Sequence, residues 1–354
     1  MKPLFKKKAQ SIIGLDIGTK YVKAVCLDVS GSVAKVNAFA CEPIIGGAFN
    51  EREIKDFDAV SKALAKIKHN LKTKNKNVAI AVAGASVLSK VVFMEPNQTD
   101  FELESQIEIE ADSLIPYPLE EVYLDFEELG ESKTHGGKVE VLLSAAHKDM
   151  IDSRITLVRE APFEPVVMDI EGYALGNALI HFATHKKDKP TCCINVGASL
   201  LQVCFVEDGE VIYSKEHNFG MNKFVQDLAV IHSLDIQEVE NQITDGSAPE
   251  SWFKDTLPMF LSALQQQIQR ALQMYASTTH KQQPDKILIS GGAGSLPMVV
   301  EELAKDLGIE VEAFNPFLNL TIAENVDADR LKKFAAQLAI AMGLASRSYS
   351  QWHM

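Results

Sequence analysis

Cysteine is scarce in this chain of 354 residues: Cys26, Cys41, Cys192, Cys193 and Cys204, an odd number. Most lie in apolar stretches and no two have metal-ligand spacing, so buried reduced thiols are expected instead of a disulfide framework or a zinc site. Positive charge is outnumbered. Against 48 Asp and Glu there are 35 Lys and Arg, and the net charge of −13 argues against nucleic acid as a partner. No apolar run is long enough to cross a bilayer, and MKPLFKKKAQ at the start contains no stretch of signal-peptide length. A cytosolic protein is therefore expected. The signatures HExxH, G-x-S-x-G and GxxxxGK[ST] are all missing, and His217, His232 and His280 have no partner at ligand spacing.

What the chain does have is a repeat. Ile13 to Gly31 read IGLDIGTKYVKAVCLDVSG, and Cys192 to Glu210 read CCINVGASLLQVCFVEDGE. Aligned without a gap, Asp16 meets Asn195, Gly18 meets Gly197, and Ala24 to Leu27 meet Val203 to Val206. Each copy reads as a strand, a tight Gly-containing turn and a second strand ending at a Gly. Such a unit repeated half a chain apart implies two related domains whose turns converge on one ligand. Backbone N–H groups in these turns form an anion-binding concavity, and Gly lets the main chain approach a phosphate closely. The length supports two or more domains, and 46% hydrophobic with 23% charged residues suits a globular fold.

Periodicity fills in the α/β pattern. After the first repeat come a strand at Lys35 to Ala40, a helix at Phe57 to Leu71 and a strand at Val78 to Val82. The next block reads β-α-β-β-α: strands at Val87 to Met94, Val122 to Leu129 and Val139 to Ala145, and helices from Thr99 to Leu114 and from Lys148 to Glu160. Thr99 with Glu102 forms a capping-box pattern. The first of these helices is acidic (Asp100, Glu102, Glu104, Glu108, Glu110, Asp112), which fits either a solvated face or a docking face for a basic partner. A strand at Val166 to Ile170 and a helix at Glu171 to Ala183 precede the second repeat. Beyond it lie a strand at Val211 to Lys215, helices at Asn222 to His232 and Ser251 to Thr279, a strand at Lys286 to Ile289, the turn Ser290 to Ser295, a helix through Val299, Leu303 and Leu307, and one last helix from Arg330 to Ser346. Pro258 is expected to kink or start a helix. Lys2, Lys6, Lys7 and Lys8 around Leu4 and Phe5 read as a solvated tail, or as weakly attracted to an anionic membrane at about 1 kcal/mol per Lys.

Three Gly-bearing turns are thus candidates for phosphate and nucleoside: Gly14 to Lys20, Gly197 to Ser199 and Gly291 to Ser295, the last opening a helix whose N-terminus favours anions. Asp16 is placed to hold a hydrated Mg²⁺, a cation bound by few carboxylates plus phosphate oxygens, or to cap the turn. Asn195, at the matching position, cannot serve as a carboxylate base.

Taken together, LDIGTKYVKAV, INVGASLLQVCF, ILISGGAGSLP and the connecting segment MDIEGYALGNAL resemble the motifs of the actin/Hsp70/sugar-kinase superfamily. The inserted block is similar to the extra subdomain of its FtsA-like branch. FKKK, ESQIEIEADSLIPYPLEEVYLDF and FAAQLAIAMGLASRS resemble the PilM family of type IV pilus assembly proteins, across nearly the whole chain.

The resemblance implies an actin-like (ribonuclease H-like) duplicated fold. Its first domain would span residues 10–86 and resume at 166–189 with the connecting helix. An interaction subdomain would occupy 87–165, the second domain 190–329, and a C-terminal helix at 330–348 would return to the first. It implies ATP and Mg²⁺ between the halves, held by Asp16, Gly18, Thr19, Lys20, Asn195, Gly197, Ala198, Ser199, Gly220, Glu240, Gly291, Gly292, Gly294 and Ser295, with Asp16 reaching the metal through water. It also implies PilN, whose cytoplasmic N-terminal tail would lie in a groove beside residues 87–165, other pilus platform proteins and motor ATPases, a place at the inner face of the inner membrane, and twitching motility. Two departures bear on turnover. The family usually has Asp where Asn195 stands, and the superfamily often shows Glu-x-x-Lys where Glu240 is followed by Ile243, so at most slow hydrolysis is expected. The rival readings are a sugar or carboxylate kinase and an FtsA-like filament-forming protein. A kinase needs a general base in the cleft, and a filament-former of that type carries a C-terminal amphipathic helix; neither is evident here.

Overall fold

The computed structural model describes residues 11–30, 33–132, 134–186 and 189–349. The basic start, the first repeat's closing Gly31 and the chain's last five residues lie outside them. The chain divides into two compact units, one of residues 1–81 with 161–354 and one of residues 82–160.

The first unit begins with β1 (Ile13–Ile17), β2 (Tyr21–Asp28) and β3 (Lys35–Pro43), then a short hairpin of β4 (Phe49–Asn50) and β5 (Glu53–Ile54), α1 (Phe57–Leu71) and β6 (Asn77–Val82). In α1, Val60, Ala63, Leu64, Ile67 and Leu71 are buried along one stripe, and Asp56 caps the N-terminus by accepting from Ala59 N.

The second unit contains β7 (Val87–Met94), α2 (Asp100–Leu114), β8 (Val122–Glu131), β9 (Val139–His147) and α3 (Lys148–Glu160). Its sheet runs in the order β7-β9-β8, all antiparallel, so the last strand is the central one. Ile107 and Ala111 of α2 pack on Val92, Met94, Val141 and Leu143. Thr99 and Glu102 form the expected capping box.

The first unit resumes with β10 (Glu164–Ile170), α4 (Glu171–Phe182), β11 (Thr191–Val196), β12 (Leu201–Glu207), β13 (Glu210–His217), α5 (Met221–His232), α6 (Ile236–Asp245), α7 (Glu250–Thr279), β14 (Lys286–Ser290), α8 (Gly291–Gly294), α9 (Pro297–Leu307), β15 (Glu310–Ala313), β16 (Thr321–Ile322), α10 (Ala328–Phe334) and α11 (Ala339–Ala345). Its two sheets have orders β10-β6-β1-β2-β3-β16 and β13-β12-β11-β14-β15. They share one plan. In each, the repeat's hairpin continues antiparallel into a third strand, and the first strand of the hairpin pairs in parallel with a later one, β1 with β6 and β11 with β14. Even the irregularities correspond: register shifts fall between Cys26 and Leu27 and between Phe205 and Val206, positions the repeat aligns. This is the duplicated α/β architecture of actin-like proteins.

Two local expectations are corrected. Arg330 to Ser346 is not one helix: α10 and α11 are separated by a 3₁₀ turn at Ala335–Leu338. The break sets Ala336 against Gly294 and lets Gln337 Nε2 donate to Ser295 Oγ at 3.1 Å. Small residues then let α11 lie against backbone on two sides. A β-carbon on Gly14 would stand 1.9 Å from Ala341 O, and one on Gly343 1.7 Å from Ala174 O. The expected open turn after β14 is instead a single helical turn, α8. Pro258 lies inside α7 without starting it. Both Pro258 and Lys254, whose carbonyl the proline cannot bond, are exposed, so the interruption falls on the solvent side of the helix. All five cysteines are buried and unpaired.

Candidate functional site

The two phosphate-turn candidates are built alike. Gly18 N donates to Tyr21 O at 3.0 Å, and Gly197 N to Leu200 O at 2.9 Å, so both hairpins close with the same turn. The amides of Thr19, Lys20, Ala198 and Ser199 donate to nothing among the described residues. Free amides at the tips of two corresponding turns are the donors that an anion's oxygens require. Other glycines allow close packing around the second turn. A β-carbon on Gly220 would meet Ala198 O at 2.4 Å, and Gly291 (φ +76°) has Val196 O 2.3 Å from its own. Met221 N and Asn222 N donate to Gly197 O and Ala198 O at 2.9 and 2.8 Å. Gly197, Ala198, Gly220, Gly291 and Gly292 are thereby brought to one end of the second sheet.

Asp16 is the last residue but one of β1 and is 4% exposed. The β1–β2 register sets Lys23 directly across from it. Lys23 Nζ is 2.5 Å from Asp16 Oδ2, so the two form a buried ion pair at the foot of the first turn. A buried carboxylate beside free turn amides fits a hydrated divalent cation next to phosphate, with Lys23 balancing the carboxylate when no cation is bound.

Asn195 is committed elsewhere. Its Nδ2 donates to Gln202 Oε1 at 2.8 Å, and its Oδ1 accepts from Ser290 Oγ at 3.0 Å. Gln202 Nε2 donates to Glu171 Oε2 at 2.9 Å and to Glu216 Oε1 at 3.1 Å. Glu171, 5% exposed in the first turn of α4, accepts from Arg52 Nη2 through its other oxygen. Arg52 belongs to the β4–β5 hairpin. Burial lowers its pKa, and the charges of Asp16 and Glu216 oppose that shift. One polar chain therefore runs from Ser290 through Asn195, Gln202 and Glu171 to Arg52, joining the two repeat-bearing halves of this unit.

Lys20, at the tip of the first turn, makes an ion pair with Glu240 on α6, and the two side chains are 31% and 20% exposed. Ile243 packs on the core of the second half. The cation beside Glu240 thus comes from the opposite turn and not from its own helix.

Arg52 had no sequence signal, since a charge within an ordinary-looking hairpin does not reveal its burial. Glu171, Gln202, Ser290 and Lys23 all lie within quoted motifs, but nothing in those motifs marks them as partners of one another; strict alternation along β2 would have placed Lys23 on the face of Asp16.

The family profile described as "Type IV pilus assembly protein PilM" matches residues 14–349. A solved structure titled "PilM-PilN type IV pilus biogenesis complex" superposes with a TM-score of 0.83 at 22% identity, covering 97% of this chain and 100% of that one. The ethanolamine utilization protein EutJ from Carboxydothermus hydrogenoformans gives a TM-score of 0.58 at 15% identity, with 98% and 91% covered.

Proposed function

The chain belongs to the family of type IV pilus assembly proteins PilM, and on that premise we propose that it is a cytoplasmic, nucleotide-regulated adaptor of the pilus assembly platform. It binds ATP with Mg²⁺ between the two repeat-bearing halves of its first unit, and it grips the cytoplasmic N-terminal tail of a PilN protein using the surface of residues 87–165. The observation that carries the nucleotide part is the pair of corresponding turns with free amides, one of them next to the buried carboxylate of Asp16. Thr19, Lys20, Ala198 and Ser199 would hold phosphate, Asp16 would hold the metal through water, and Glu240 would face the ribose. Bound Mg²⁺ would neutralise phosphate charge.

The residues around the cleft favour binding over turnover. Asn195 is held on both sides by Gln202 and Ser290, so it has neither the charge nor the freedom to take a proton from water. A ligand that bridges the halves shifts their arrangement only as far as it binds one arrangement better than the other. Lys20 is the group through which this happens: a phosphate that recruits Lys20 releases it from Glu240.

The test is titration of the purified full chain with a labelled PilN N-terminal peptide, with and without Mg·ATP. Saturable binding is expected, with an affinity that changes when ATP is added; the ratio gives the coupling free energy between the sites. A folded chain that binds the peptide in neither condition would overturn the adaptor reading.

A further inference from the structure

The charge of this protein is concentrated in one place. Residues 82–160 contain 17 Asp and Glu against 6 Lys and Arg, so this unit holds most of the chain's net −13. The excess is sharpest on α2. Its inner face, with Ile107 and Ala111, is buried against the sheet. On the opposite face Phe101 and Ile109 are 78% and 72% exposed, in line with Ser105. Glu104, Glu108 and Asp112 run beside that ridge at i, i+4 spacing.

This is an unfavourable helix by itself. The like charges repel along the row, the C-terminal turn has no basic residue to meet the macrodipole, and none of these three acids pairs with a cation among the described residues. Two large apolar side chains add to the cost of leaving the face in water. A ligand that removes both penalties must be cationic and carry large apolar groups.

The chain itself contains such a segment. Residues 2–8, KPLFKKK, combine four lysines with Leu4 and Phe5. Of the other dense basic runs, those at 72–76 and 186–189 contain no large apolar residue, and in Arg330–Phe334 the apolar Leu331 and Phe334 are already packed into the core. Phe101 and Ile109 are about 12 Å apart along the helix axis, and seven extended residues span roughly 23 Å, enough to cover the ridge. We propose that the outer face of α2 is the docking surface for residues 2–8 of a second copy of this chain. Such a contact is heterologous: each copy offers one segment and one face, so copies add head to tail. The inference does not depend on the nucleotide reading.

The test is sedimentation velocity of the full chain across a concentration series at low and high salt. Self-association at low salt that weakens at high salt is expected. Deleting residues 2–8 should abolish it, a synthetic peptide of residues 1–10 should compete with it, and Phe101→Ala should weaken it about tenfold, as truncation of a buried anchor does. Glu104→Gln with Glu108→Gln should reduce both the affinity and its salt dependence. Since Phe101, Glu104 and Glu108 are exposed, these variants retain the parent's circular dichroism. A chain that stays monomeric at every concentration would overturn the proposal. So would association indifferent to Phe101→Ala and to the charge changes, or a tail that binds anionic vesicles while the protein does not self-associate.

Discussion

Asn195→Asp gives the second repeat the carboxylate that Asp16 supplies in the first, and the polar chain around it predicts damage. Asn195 Nδ2 supplies the proton that Gln202 Oε1 accepts at 2.8 Å, and an aspartate has none to give. Rotating the Gln202 amide would turn its NH₂ toward residue 195. That rotation aims the carbonyl oxygen at Glu171 Oε2 and Glu216 Oε1, which now accept from Nε2 at 2.9 and 3.1 Å. Either orientation opposes two acceptors. The site is 8% exposed, so water does not relieve the contact. A buried acceptor left unpaired costs about 1–3 kcal/mol, more when charged, and the bond from Ser290 Oγ offsets part of that. The expected loss is about 3 kcal/mol, roughly a 6–12 °C fall in melting temperature. The new carboxyl, next to Glu171 and Glu216, should titrate above its unfolded value of about 3.9. With the folded pKa raised, the penalty is full above that pKa and shrinks as pH falls toward the unfolded value. Thermal unfolding followed by circular dichroism at pH 7.5 and pH 5.5 measures this directly. A variant as stable as its parent at pH 7.5 would refute the reasoning, and so would a deficit that grows at pH 5.5.

Other outcomes follow from particular contacts. Arg52→Met strands Glu171 as a buried uncompensated charge and should cost about 3–5 kcal/mol; the double variant with Glu171→Gln should recover most of it, and additive losses in a chemical-denaturation cycle would disprove the pairing. Gly343→Ala places a methyl 1.7 Å from Ala174 O and should lower the melting temperature by roughly 5–10 °C, whereas the same change at solvent-facing Gly136 should leave it unmoved. Burial pushes the Cys41 and Cys193 thiols up to about 12, and those of Cys192 and Cys204 also well above the usual value. Raised values keep them protonated at pH 8, so a thiol reagent should modify them only after urea is added. Rapid native labelling at Cys193 would contradict its position in the core.

The sequence determined most of the local structure, because local rules operate over a few residues. The apolar stripe of α1 delimits that helix from Phe57 to Leu71, the Thr99–Glu102 box starts α2, and β-branched runs mark β1, β6 and β11. It also revealed the duplication, since two chains of residues that build the same hairpin resemble each other whether or not they touch. Candidate turns were legible for the same reason: Gly18, Gly197 and Gly291 stand where backbones turn or approach closely. The break at Ala335–Leu338 was not legible, because Ala and Leu favour helix and only packing against Gly294 bends that segment. The pairings across the cleft were decided by tertiary structure alone. Nothing near Arg52 points to Glu171, and nothing near Lys20 points to Glu240. A charge finds its partner through the distance and dielectric around it, and these exist only after the sheets have brought distant parts of the chain together.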